Sequence, residues 1–219
     1  MKKIIFKITL ILSVLIMTAG ALVSCGDRKY DENEVKAAAK QLIADSAVLN
    51  EIYWGEGIAY DDDKNFSDGV YYQAIYTSHY QHGFTTIADL KRITKKTFSK
   101  EFSETVFSTV LSSITDGNEI FLTRYYQKYN TLDGKTPECI MVHSEWEPVF
   151  TSEVEYDFES IKVLGSEKET VFITIDCTVT KDALLPQKRT VKISLIEEED
   201  GWKIDSPTFV NYDITQTNN

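Results

Sequence analysis

Cys139, His143 and Glu145 are the residues of this 219-residue chain whose types could do chemistry together. A thiolate beside an imidazole is a nucleophile with its base, and a carboxylate can orient the ring. The sequence supplies no oxyanion donor and no fixed third partner around them, so the trio is only a candidate. The histidines His79, His82 and His143 match no zinc spacing. Asp61, Asp63 and Asn65 imitate the first half of a calcium loop. Phe66 stands where such a loop needs glycine, and Tyr72 where it needs the bidentate glutamate. That stretch reads as a solvated acidic turn, and neither a metal nor a cofactor is expected. Carboxylate pairs such as Glu51 and Glu56 are unavoidable among 34 acids, so pairing alone does not mark a general acid and base. With no catalytic motif in the chain, a non-enzymatic role is the leading reading.

Binding residues are sought where composition departs from the rest. Residues 53–84 hold nine aromatics, against 12% of the whole chain. Tyrosine offers a large contact area with a polar tip, which suits a protein, glycan or peptide surface. The same rings could equally be core, because a strand buries alternate residues. The candidates for a ligand or partner are Asn50, Tyr53, Trp54, Glu56, Tyr60, Tyr72 and Tyr76. A second set comes from the first predicted helix, whose apolar stripe is broken by Asp45 and Ser46, with Asn50 near its end. Buried polar groups need partners. They would either line a pocket between helix and sheet, fit for an enzyme or a small-ligand binder, or bond backbone at the helix end.

The N-terminus is an address. Met1-Lys2-Lys3 is followed by an apolar run from Ile8 to Val23 that ends in Leu22-Val23-Ser24-Cys25. The run is too short for a spanning helix and suits a signal h-region. It resembles the bacterial lipoprotein signal. The resemblance implies cleavage before Cys25, a diacylglyceryl thioether on its sulfur, and a lipid-anchored domain on the extracytoplasmic face of the cell membrane. Two acyl chains hold a protein on a bilayer stably where one does not. Loss of Lys2, Lys3 and Lys7 takes the net charge from −11 to −14. Such acidity excludes nucleic acid as a partner, since that affinity comes from phosphate neutralisation by Lys and Arg. Lysines outnumber arginines, with only Arg28, Arg92, Arg124 and Arg189 present. That hints at an AT-rich, low-GC genome.

The elements that must position these residues follow the apolar periodicity. The chain divides into a signal peptide (1–24), a tether (25–32), one domain (33–212) and a polar tail (213–219). A helix is predicted from Glu34 to Trp54, stopped by Gly55 and Gly57. Residues 57–70 read as a loop and Val70–Thr77 as a strand. Thr86 to Asp89 forms a capping box for a helix to about Lys96. Ser99 caps a third helix that carries Phe102, Val106, Phe107, Val110, Leu111 and Ile114 and ends at Asp116-Gly117. Strands are predicted at Glu119–Gln127, Glu138–His143, Phe158–Leu164, Thr170–Thr180, Arg189–Glu197 and Trp202–Phe209, with turns at Asp133-Gly134 and Asp200-Gly201. Alternation puts Cys177 on the core face of its strand. Cys139 and Cys177 are either bridged or free, and both alternatives stand.

Helices followed by a run of antiparallel strands is an α+β order, with N-terminal helices on a curved antiparallel sheet. Lys192-Ile193-Ser194-Leu195 followed by Asp200-Gly201-Trp202-Lys203-Ile204 resembles the closing hairpin of the nuclear-transport-factor-2-like cone fold. A second resemblance rests on Asn50 to Ile58, Phe84 to Lys91 and Phe98 to Phe102. These segments look like exported proteins of low-GC Gram-positive bacteria grouped with inhibitors of cell-wall DL-endopeptidases. Near Tyr125–Lys135 the chain departs from that pattern. The expectation is a lipid-anchored binding module whose partner is an envelope protein or a wall fragment, with inhibition of a wall peptidase as its sharper form.

Overall fold

Asp31 starts the first helix by accepting the N–H of Asn33, and Glu32 and Glu34 place negative charge on the positive end of the helix dipole. The structure, a computed structural model, describes residues 30–65, 69–75, 84–112, 114–116, 119–121, 123–150, 152–181, 184–210 and 212. The signal peptide, Cys25 and the tail from 213 lie outside the described residues. Among those described, no helix is long and apolar enough to cross a membrane.

α1 (Glu32–Trp54) buries Val35, Ala39, Leu42, Ile43 and Leu49 on one stripe. Its last turn is buried on every side, from Ile52 through Trp54. α2 (Ile87–Thr97) is capped by Thr86, whose hydroxyl accepts the Asp89 N–H while donating to the Asp89 carboxylate. α3 (Lys100–Val110) is capped by Ser99. It ends one turn earlier than its stripe predicts. Thr109, Ser108 and Ser112 turn their hydroxyls back onto helix carbonyls, which competes with continuation. Ile114–Asp116 instead forms β3, which pairs with β4 (Glu119–Phe121).

The remaining strands form two four-stranded antiparallel sheets. The first holds β1 (Tyr60–Asn65), β2 (Tyr71–Ala74), β6 (Pro137–His143) and β5 (Tyr125–Tyr129), in that spatial order. The second holds β10 (Gly201–Ile204), β9 (Gln187–Glu198), β8 (Thr170–Thr180) and β7 (Glu153–Glu167). The chain is therefore α+β, as its element order predicts, with the strands shared between two sheets. β1 lies inside the stretch read as a loop, because three consecutive aspartates carry no strand signal. The strand expected over Glu119–Gln127 is split by Arg124, which turns inward between β4 and β5. β10 stops at Ile204. Beyond it the Asp205 side chain turns to Ser99 while its N–H still bonds Ser194 of β9, and Pro207 lacks an N–H to pair, so residues 207–210 leave the sheet and cross the end of α1.

β8 is the centre of the core. Val171, Ile173, Ile175, Cys177 and Val179 alternate inward and meet Val191, Ile193 and Leu195 of β9. Each such side chain contributes roughly 1.5–3 kcal/mol when fully buried. The β9–β10 hairpin joins sheet to helices. Trp202 donates to Glu34 at the start of α1, and Ile204 is fully buried. The buried Lys203 ammonium donates to the Lys96 carbonyl at the end of α2 (3.1 Å) and to Asp200 (2.9 Å). A cation at a helix C-terminus is favourable there.

The β5–β6 turn is set by Asp133. Its carboxylate accepts from Thr136 Oγ1 and from the N–H groups of Thr136 and Lys135. The Thr136 hydroxyl, then those N–H groups, hold its pKa down at about 2. The unfolded value is about 3.9. The stabilisation is therefore present above pH 4 and is lost as the pH falls through 2. Asp133→Asn is expected to lower the melting temperature at pH 6, with the gap to the parent closing by pH 2. Thermal unfolding at the two pH values checks this, and a gap equal at both would rule it out.

Candidate functional site

Three of the predicted binding residues belong to the core. Tyr53 is fully buried, and its hydroxyl donates to Thr94 Oγ1 (2.6 Å), which itself donates to the Leu90 carbonyl. Burial raises the Tyr53 pKa far above the ordinary tyrosine value. Trp54 lies against Phe209 (centroids 5.0 Å apart) and Phe102, and its carbonyl accepts the N–H of Val149. Asn50 is buried and donates to Thr208 Oγ1 (2.8 Å). The helical stripe predicts which face is apolar. It does not predict that residues 149–150 and 208–210 return to enclose the whole helix end.

The polar breaks in α1 find partners on that returning segment. Ser46 Oγ donates to the Ile43 carbonyl, so it must accept from Thr208 Oγ1 (2.8 Å), which leaves Thr208 to accept from Asn50. Asp45 faces the solvent side and accepts from Gln41 (2.9 Å). Ser46 and Asn50 thus bond the segment that crosses the helix.

The end of α1 needs further donors, since its last carbonyls have no partner within the helix. Tyr125 Oη donates to the Ile52 carbonyl (2.6 Å) and accepts the Ile58 N–H (3.1 Å). Arg124, 2% exposed, donates from Nη2 to the Gly55 carbonyl (2.7 Å). Its guanidinium lies over the rings of Tyr125 and Trp146. Gly57 has φ +90°, and a Cβ there would stand 2.3 Å from Arg124 Nη2. Neither Arg124 nor Thr208 was singled out from the sequence. Arg124 falls in the strand predicted over Glu119–Gln127, and Thr208 in that predicted over Trp202–Phe209.

At the surface, Glu56 is exposed and Tyr60 and Tyr72 are half-buried. The two tyrosine rings lie 5.1 Å apart at the outer edge of the first sheet, where Tyr60 begins β1. Asp61, Asp62 and Asp63 follow on the same strand. Asp61 accepts the Asp63 N–H and pairs with Lys64 (3.1 Å), which lowers its pKa, the Lys64 hydrogen bond first. Tyr76, His79, His82 and Phe66 lie outside the described residues.

The nucleophile candidate is not assembled. Cys139 and His143 both lie on β6, where four residues separate side chains by about 13 Å. The Cys139 sulfur meets Met141 Sδ at 3.7 Å, and burial raises its pKa. His143 Nδ1 accepts the Glu145 N–H. Cys177 is likewise buried, free and raised. Among the described residues no group of His, Cys, Asp and Glu could hold a metal ion. Of the carboxylates with lowered pKa, Glu104, Asp133 and Asp200 are exposed and Asp61 and Asp89 half-buried, and side-chain hydrogen bonds from Lys64, Thr86, Lys95, Thr136 and Lys203 are the leading causes.

An open groove of about 630 Å³ lies at the start of α3, lined by Ser99, Lys100, Glu101, Glu198 and Asp205. The chain's own acids occupy that helix start, with Glu198 accepting the Lys100 N–H (2.7 Å) and Asp205 accepting from Ser99. Compared with protein-family models, with curated proteins and with solved structures, the chain finds no match in any of the three.

Proposed function

We propose that the chain is a lipid-anchored binding module on the outer face of the cell membrane, tethered through Cys25. Its partner in this reading is a cell-envelope protein or a wall fragment, and its sharper form is an inhibitor of a wall peptidase. The observation that carries it is the half-buried Tyr60–Tyr72 pair at the sheet edge, followed on β1 by three aspartates. Such rings offer contact area at little entropic cost, and neighbouring carboxylates complement a basic enzyme. The signal ending in Leu22-Val23-Ser24-Cys25 and the net charge of −11 support the same reading.

The test is hydrolysis of peptidoglycan by a DL-endopeptidase with the purified protein in excess. Slower hydrolysis is expected, and Tyr60→Ala with Tyr72→Ala is expected to weaken the effect at least tenfold, about 1.4 kcal/mol. Undiminished hydrolysis would sink the inhibitor form. A pull-down from solubilised membranes with the parent and Cys25→Ala reads the anchor and the partner separately. Cys25→Ala is expected to leave the membrane fraction.

A further inference from the structure

Among the described residues β7 is an outer strand of the second sheet, paired with β8 on one side only. From Glu153 to Asp157 it presents two rows. Glu153, Glu155 and Asp157 are exposed on one face, and Val154 and Tyr156 are half-buried on the other, against the core. Beyond Asp157 the pairing with β8 lapses until Lys162. Within that bulge Ser160 Oγ accepts the Asp176 N–H, and Lys40 from α1 lies over Phe158 and bonds Glu159 (3.3 Å). The open stretch is therefore five residues, about 17 Å long. An open groove of about 1040 Å³ lies over the sheet here, lined by Lys40, by Glu155 and Asp157 of β7, and by residues of β8 and β9 that include Lys188 and Arg189.

The acids of this edge face no basic residue across β8. Glu153 and Glu155 face Thr180 and Thr178 across β8, and Asp157 faces Asp176. Lys188 lies opposite Thr178, one strand further on, its backbone about 10 Å from that of Glu155. A second copy of β7 would set carboxylates against carboxylates, so the row opposes self-pairing. The same row favours a strand of opposite charge.

We propose that the Glu153–Asp157 edge takes up, by strand addition, an extended segment of a partner protein in which lysine or arginine alternates with apolar residues. A strand added to β7 stands about 4.5–5.5 Å away, side chain to side chain. Its cations fall opposite Glu153, Glu155 and Asp157. Its apolar residues fall on the other face, beside Val154 and Tyr156. The alternation of the ligand thus mirrors the alternation of β7. This edge is distinct from that of Tyr60 and Tyr72, and the proposal holds whatever those tyrosines meet.

The test uses the full chain and two labelled heptapeptides of equal composition, Lys-Val-Lys-Val-Lys-Val-Lys and Lys-Lys-Lys-Lys-Val-Val-Val. Fluorescence anisotropy at fixed low salt measures binding, and hydrogen exchange reads the amides of residues 153–157. The alternating peptide is expected to bind roughly tenfold tighter than the blocked one and to protect those amides. Glu153→Lys with Glu155→Lys, both exposed, is expected to weaken it at least tenfold and to favour Glu-Val-Glu-Val-Glu-Val-Glu instead. Equal binding of the two lysine peptides would reduce the effect to bulk charge and overturn the proposal. So would binding without protection at 153–157, or no binding at all.

Discussion

Arg124→Ala is expected to lower the unfolding free energy by about 3–5 kcal/mol, the largest effect of any single polar substitution named here. The side chain is almost wholly buried, bonds the Gly55 carbonyl at 2.7 Å and lies over Tyr125 and Trp146. Truncation removes three things at once. It takes the donor at the end of α1, a cation from the negative end of the helix dipole, and the volume that two aromatic rings rest on. Arg124→Met separates these, because it restores much of the volume and none of the hydrogen bonding. It is expected to recover less than half of the loss. Gly57→Ala attacks the same place from the other side. Its φ of +90° and the 2.3 Å approach to Arg124 Nη2 make any Cβ both strained and obstructed. Urea unfolding with unchanged slope checks all three. A change under about 1 kcal/mol for Arg124→Ala would mean that the helix end does not depend on it.

Thr208→Val is expected to cost about 2–4 kcal/mol, although it changes the shape of the side chain very little. The run Asn50 Nδ2 to Thr208 Oγ1 to Ser46 Oγ to the Ile43 carbonyl uses each hydroxyl once as donor and once as acceptor. Valine breaks it in the middle and leaves Asn50 Nδ2 buried without an acceptor. Because valine and threonine are nearly isosteric, no cavity contributes, and the measured loss reports the hydrogen bonds. Tyr156 still donates to the Thr208 carbonyl, so the segment keeps one tie to β7. The groups are in one network, so Ser46→Ala with Thr208→Val is expected to cost less than the sum of the two. Strict additivity in that double-mutant cycle would contradict the shared network.

Much of the fold was legible in local patterns. The caps at Thr86 and Ser99 are where short polar side chains precede an apolar period. β8 spans Thr170–Thr180 as its strict alternation requires, with Cys177 inward. What failed did so for identifiable reasons. β7 starts at Glu153, five residues before its predicted start, because a row of acids on the solvent face hides the alternation of Val154, Tyr156 and Phe158. α3 is shorter than its stripe because hydroxyls in its last turn bond back to the helix. Of the candidate site, Glu56, Tyr60 and Tyr72 reach the surface, and Asn50, Tyr53 and Trp54 do not.

That last division marks the boundary between the two kinds of information. By itself the sequence determined the helices, most strands, the acidic character and the α+β order, since these depend on neighbours within one or two turns. Only the tertiary structure decided which end of α1 is enclosed and by what. Arg124 meets Gly55 across 69 positions, and Thr208 meets Asn50 across 158. Periodicity assigns a residue to a face of its own element. Burial of that face is decided by distant segments that must satisfy the carbonyls and polar groups the element leaves over. The same reason makes the open edge of β7 invisible in the sequence, because a strand shows its pattern but not whether a neighbour lies on one side or both.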